Sequence, residues 1–263
     1  MVLSTILAAC GFPQIASADV GFLLPNAFKI DEGTTVTTIA SFSDRFPSIE
    51  HPLRSKDFHI LTVDGEKRAF DDIQSHDQVT LLTATLGKPG VYRLSSGNRL
   101  GRKGKASIVD GSYVRLGRDG LDPSELPAGS PILTSQTATI SEVYIRHGEV
   151  ELPTTLSTSG RLSLMLTAQD ALGFTTDADL ELSVLFDGKP LSDAKATLVA
   201  SFDSYTDHGE GLTYTLTDKG QVTLSADRPG PHVIFVRHMA KAPAGAETDI
   251  RSYTTALVFE LLP

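Results

Sequence analysis

Val184-Leu185-Phe186-Asp187-Gly188-Lys189-Pro190-Leu191-Ser192-Asp193-Ala194-Lys195-Ala196-Thr197-Leu198 reads as strand, two-residue turn, strand. Asp-Gly between apolar runs supplies the two left-handed backbone positions of a tight hairpin turn. The proline that follows lacks the amide donor a continuing helix would need. The same punctuation recurs outward in both directions. Downstream, Thr217-Asp218-Lys219-Gly220 leads into Gln221-Val222-Thr223-Leu224, and Arg228-Pro229-Gly230 opens the next run. Upstream, Val63-Asp64-Gly65-Glu66-Lys67 is a second hairpin signal, followed by Gln78-Val79-Thr80-Leu81 and then Lys88-Pro89-Gly90-Val91-Tyr92. The order is shared, while Asp-Gly to Pro-Gly takes 25 residues in the first copy (64 to 89) and 42 in the second (187 to 229). Inserted loops at the ends of a sandwich account for that difference.

Nearly every apolar run is short, β-branched and bounded by Gly, Pro, Asp or Asn, which predicts strands throughout. They fall at Thr34–Phe42, Asp57–Val63, Gln78–Leu86, Val91–Ser95, Thr137–Arg146, Leu162–Thr167, Leu182–Phe186, Ala194–Ser201, Gly220–Ala226, His232–Met239 and Ser252–Leu261. The expected fold class is all-β. One helical turn is expected at Asp122-Pro123-Ser124-Glu125-Leu126, where Asp caps and Pro takes the first helical position. Alternation is lost at Glu149-Val150-Glu151-Leu152-Pro153-Thr154-Thr155. The chain therefore divides into a leader at 1–18, a β-sandwich module at 19–148, a linker at 149–160 and a second, Ig-like β-sandwich module at 161–263.

Forty per cent hydrophobic and 21% charged residues among 263 exclude a disordered chain, collagen and a transmembrane bundle. With 23 basic against 32 acidic residues the net charge is -9, which repels a nucleic-acid backbone. Residues 1–18 carry no charge and close on Ala16-Ser17-Ala18, the pattern that signal peptidase accepts, so cleavage would leave Asp19 first and the protein in the periplasm. Leu7-Ala8-Ala9-Cys10-Gly11 offers a second reading, a lipobox with Cys10, the one cysteine, lipid-anchored. No later segment has the roughly 18 apolar residues of a membrane span.

The chain holds no Gly-x-Ser-x-Gly elbow, P-loop, His-Glu-x-x-His helix or Gly-x-Gly-x-x-Gly turn, so no enzyme is expected and no catalytic or cofactor-binding residue is assigned. Tryptophan, the usual sugar-stacking platform, is absent, which weighs against a carbohydrate-active enzyme. The histidines are the ligands of borderline softness. His232 and His238 share a strand face but stand six residues apart, about 20 Å, too far for one ion. His232 is expected to face solvent, and His59 to be half-buried. Two loop clusters remain as metal candidates. One is Asp207 and His208, in Asp207-His208-Gly209-Glu210; the other is Glu50 and His51, which Asp19 joins if the new amino terminus packs beside them. The basic run Arg93, Arg99, Arg102, Lys103 and Lys105 is interleaved with Gly97, Gly101 and Gly104 and is expected to be a solvated loop, with an anionic headgroup or acidic partner as its other use.

The hairpin at Val184–Leu198 with Pro229-Gly230 resembles the Ig-like, transthyretin-like modules of exported bacterial proteins. Three further features resemble one family: Asp19-Val20-Gly21-Phe22-Leu23-Leu24-Pro25 after the leader, His51-Pro52-Leu53-Arg54 before a strand ending in Val63-Asp64-Gly65, and the end from Arg251-Ser252-Tyr253-Thr254 to Pro263. It is the bacterial periplasmic domain of unknown function 4198 family, whose members are described as the periplasmic component of a nickel or cobalt uptake system. The resemblance implies an exported, non-catalytic protein that binds nickel or cobalt or presents it to a membrane uptake component. Members commonly begin the mature chain with His, where this chain has Asp19, a harder ligand for nickel. That departure strengthens the alternative, an interaction module that binds another envelope protein or a glycan without metal.

Overall fold

The structure, a computed structural model, describes residues 19–30, 35–117, 120–167, 174–176, 179–192, 194–201 and 211–263. The leader lies outside the described residues, and so do Cys10, Asp207 and His208. The first strands are β1 (Val20–Pro25), β2 (Lys29–Ile30), β3 (Thr35–Ser43), β4 (His51–Pro52), β5 (His59–Leu61), β6 (Lys67–Arg68), β7 (Asp72–Ser75), β8 (Thr80–Thr85) and β9 (Gly90–Ser95). Then come β10 (Arg99–Val109), β11 (Ser112–Leu116), β12 (Leu133–His147), β13 (Thr155–Ser157), β14 (Leu162–Thr167), β15 (Phe174–Thr175) and β16 (Leu180–Phe186). The chain ends through β17 (Lys189–Pro190), β18 (Lys195–Ala200), β19 (Leu212–Thr215), β20 (Gln221–Leu224), β21 (Gly230–Lys241) and β22 (Ile250–Leu262). The fold is all-β, and each expected run carries a strand. Among the described residues the one 3-10 turn is Pro123–Glu125, capped by the Asp122 side chain on Ser124 N. Asp187 and Gly188 take the expected left-handed conformations, at φ 52° and 75°.

The strands form three sheets. One outer sheet runs β1-β3-β8-β7 with β4 beside β3; the other runs β13-β14-β16-β17 with β20 beside β16. The central sheet runs β19-β18-β21-β22-β12-β9-β5-β6, with β10 on β12 and β11 on β10. Successive side chains of a strand point to opposite faces, so a strand apolar at every position needs cover on both sides. Ala256-Leu257-Val258-Phe259 in β22 is such a run. Ala256 and Val258 pack with Phe22, Val36 and Leu82 of the first outer sheet. Leu257 and Phe259 pack with Leu164, Leu182 and Leu224 of the other. β21 divides the same way, Val233 and Phe235 against Ile234 and Val236.

The two sandwiches are thus built on opposite faces of one central sheet. The boundary expected at 149–160 falls between β12 and β13, yet β12 lies beside the last strand, β22, in parallel register with Val143 opposite Val258. A parallel pair requires a long crossover, which the second outer sheet supplies. Polar contacts tie the layers: Ser141 Oγ donates to Gly21 O at 2.8 Å on one face, and Thr255 Oγ1 donates to Leu162 O at 2.8 Å on the other. Gly21 permits the first contact, because a Cβ there would come within 2.8 Å of the Phe42 ring.

The hairpin at Asp187 is held to the central sheet by a fork. Arg161 Nε and Nη2 donate to the two Asp187 carboxylate oxygens at 2.6 and 2.5 Å, and Nη1 donates to Tyr253 Oη at 2.6 Å. His238 meets the Phe186 ring edge-on at 4.7 Å in the same cluster. The Arg161 guanidinium holds the Asp187 carboxyl below its ordinary range. Burial first, and Arg161 second, hold the His238 imidazole below its ordinary range, against the pull of Asp187. In both cases the unfolded chain binds more protons than the native one, so stability falls as pH is lowered. The histidine contribution is complete above its ordinary 6.5 and is lost as pH falls through its lower native value. Urea midpoints should therefore drop between about pH 7 and pH 5, and drop less in His238→Gln. An equal drop in both proteins would refute the assignment.

Candidate functional site

The central sheet extends past the first outer sheet. β1 begins just after Asp19 and reaches β12 at Ser141; one and two steps further on the same face, Thr139 and Thr137 line a cleft that Phe42 of β3 and His51 and Pro52 of β4 border. Across this face of the central sheet the registers line up. Arg237 lies opposite Thr254, Thr254 opposite Thr139 and Thr139 opposite Arg99. Residues opposite one another in a ladder share a face, so cation, hydroxyl, hydroxyl and cation stand in one row across four strands. The next row holds Met239, Ser252 and Thr137.

β10 and β11 make the roof. β10 shifts register between Leu100 and Lys103, and a Cβ on Gly101 would fall 2.3 Å from Thr137 Oγ1, so glycine allows β10 to lie this close to β12. β11 then returns toward β21. Floor and roof enclose an open cleft of about 1300 Å³. Among the described residues its lining carries Arg99, Arg102, Arg115, Arg237, Lys195 and Lys241 and one carboxylate, Asp19. That is a local reversal of the chain's net charge of -9.

Aromatic faces and carbonyls hold two of the guanidiniums. Arg237 stands over the Phe235 ring at 4.6 Å and donates from Nη2 to Asp19 O at 3.4 Å. Arg99 stands over Phe42 at 4.8 Å and donates from Nε to Arg54 O at 2.9 Å. Burial, and then the neighbouring Arg115, push the Arg237 guanidinium down to about 10, opposed by Asp19. Burial, and then Arg102, also lower Arg99. Each is a partly desolvated cation with a like charge beside it.

The metal candidates are distributed unevenly. Asp19 and His51 both line the cleft and both are exposed. Glu50 does not join them; its Oε1 accepts a 2.8 Å hydrogen bond from Ser43 Oγ. Among the described residues, no three or more His, Cys, Asp or Glu come together as a metal-holding group. A bare divalent ion does not fit a lining in which four guanidiniums face one carboxylate, because like charges oppose it.

Other expectations need correcting. His232 is 1% exposed, not solvent-facing: its Nδ1 lies 2.9 Å from Gly230 O and its ring stacks on Phe259. The parity of β21 put it against an outer layer that its own strand does not reveal. The basic run is not a loop: Arg99, Arg102, Lys103 and Lys105 lie in β10. Its glycines mark a strand pressed onto a neighbour. His59 is half-buried as expected. Arg237 was not anticipated as a site residue, nor were Thr139 and Thr254; only polar–apolar alternation in Ala138-Thr139-Ile140 and Tyr253-Thr254 hinted at a second use for that face.

Among the described residues no helix is long and apolar enough to cross a membrane. No curated protein matches the chain. Trypsin-activated alpha-2-macroglobulin from Escherichia coli is 12% identical with a TM-score of 0.24, and the match covers 92% of this chain but 16% of that one. The D0-D1 domain of intimin is 10% identical, TM-score 0.20, covering 92% and 99%. The adhesin InvE of Yersinia pseudotuberculosis is 12% identical, TM-score 0.22, covering 89% and 58%. The family model for the domain of unknown function DUF4198 matches residues 16–240, from before β1 through the cleft floor in β12 and on to Ala240 in β21, and the chain belongs to the DUF4198 family.

Proposed function

We propose that this chain is an exported, non-catalytic binding protein that takes an anionic ligand into the cleft between the central sheet and the β10–β11 hairpin. The observation that carries this reading is the row Arg237, Thr254, Thr139, Arg99, which places two guanidiniums and two hydroxyls on one face lining the cleft. Guanidinium forks and hydroxyl donors match carboxylate or phosphate oxygens, and a partly dry cleft strengthens each pairing. Export rests on the uncharged leader ending in Ala16-Ser17-Ala18. The nickel or cobalt role keeps Asp19 and His51 at the cleft as its support, and the surrounding guanidiniums weigh against it.

Thermal unfolding of the protein beginning at Asp19 separates the two. A ligand bound only by the native state at a hundred times its Kd adds about 2.7 kcal/mol. Citrate or inorganic phosphate should raise the melting temperature, and the rise should shrink in Arg99→Ala and vanish in Arg99→Ala/Arg237→Ala. Nickel or cobalt chloride alone should leave it unchanged. Stabilisation by either metal, lost in His51→Ala, with no response to anions, would reverse the assignment.

A further inference from the structure

We propose that the ligand of this cleft is an acidic oligosaccharide, a chain of uronate-type sugars that engages both ends of the cleft at once. The inference rests on the anionic-ligand reading above and adds the ligand's chemistry. The basic groups are not spread evenly along the floor. Arg99 and Arg102, three positions apart in β10, line the cleft on one side, and Arg237 of β21 with Arg115 of β11, the strand that contacts β21, line it on the other. Between the two pairs, β22 and β12 place only hydroxyls on this face in these rows: Thr254 and Thr139, then Ser252 and Thr137. Three strand spacings separate the backbones of Arg99 and Arg237, about 14 Å. A ligand with one anionic group reaches one pair. A ligand with anionic groups at both ends reaches both, and what lies between them must pair with hydroxyls.

The floor also selects against a peptide. β22 and β12 are interior strands, their backbone groups spent on the ladders to β21, to β10 and to each other. An extended peptide is ordinarily taken up by a sheet edge that supplies main-chain partners, and this floor offers side chains alone. A sugar acid has no such requirement: its carboxylates suit the guanidinium forks and its ring hydroxyls suit threonine and serine, which both donate and accept.

Isothermal titration of the chain beginning at Asp19 with galacturonate, trigalacturonate, neutral maltotriose and hexaglutamate tests this. Trigalacturonate should bind at least about 100-fold more tightly than galacturonate, since a second tethered contact raises avidity by 10² or more. Maltotriose should not bind, and hexaglutamate should bind more weakly than trigalacturonate. Arg99→Gln/Arg102→Gln and, separately, Arg115→Gln/Arg237→Gln should each bring trigalacturonate to the galacturonate level. Thr254→Val, nearly isosteric on the floor, should weaken trigalacturonate several-fold, and it keeps the test open if an arginine variant fails to fold. Equal affinity for monomer and trimer, dependence on one arginine pair only, or hexaglutamate binding as tightly as trigalacturonate would overturn the proposal while leaving the anion reading standing. Failure of citrate, phosphate and every acidic probe would overturn both.

Discussion

Phe259→Ala is expected to lower the stability of the whole chain by about 3–5 kcal/mol, the range for truncating a fully buried phenylalanine. Phe259 is 1% exposed in β22, meets Phe174 edge-to-face at 5.4 Å and stacks on His232 at 5.8 Å. The cavity cannot collapse easily, because β22 is fixed along both edges, by β21 through twelve paired positions and by β12 through nine. The same strand serves the other core through Ala256 and Val258. Loss of Phe259 should therefore not unfold one half alone. Circular dichroism in urea should show a single transition at a lower midpoint, and Val258→Ala, on the opposite face, should give a smaller shift of the same single transition. A biphasic curve for Phe259→Ala, with the residues of the first outer sheet still protected from amide exchange at the first step, would contradict the shared-sheet account.

Glu142→Ala should cost about 3 kcal/mol, since breaking a buried charged network strands its remaining partners. The Glu142 side chain is fully buried on β12. It accepts hydrogen bonds from Ser159 N at 2.9 Å and Ser159 Oγ at 2.5 Å, and Arg93 Nε lies 3.7 Å away. Arg93 in turn donates from Nη1 to Ser157 O at 2.7 Å. One carboxylate thereby anchors the connection after β12 to the central sheet, where the second outer sheet begins. Glu142→Gln keeps an acceptor for one Ser159 donor and should cost less than half as much. Urea midpoints of the two variants measure the difference. Equal costs would mean that the negative charge, which both variants lose, and not the space or the remaining acceptor of the side chain, is what matters.

Much of this was legible in the chain itself, and unevenly so. The hairpin at Asp187-Gly188 could be read because a left-handed pair between apolar runs is a local requirement. β14 was legible to its ends, Leu162 and Thr167, since its alternation is uninterrupted. β10 was not, because Gly101 and Gly104 read as loop punctuation when the partner they accommodate, β12, lies about 30 positions away in sequence. The cleft was half visible. Asp19 and His51, the expected metal ligands, do line it, whereas its cations come from β10, β11, β18 and β21, which no spacing rule connects.

Turn chemistry and the period of two act over a handful of residues, and from them alone follow the all-β class, strands such as β14 and the tight turns of this protein. The partner of each strand follows from no local rule. The parallel pairing of β12 with β22 sets the central sheet between two outer ones, because strands such as Ala256-Leu257-Val258-Phe259 bury both faces only when covered on both. That same pairing brings Thr139 beside Thr254, and so places Arg99 and Arg237, 138 positions apart, at the two ends of one row.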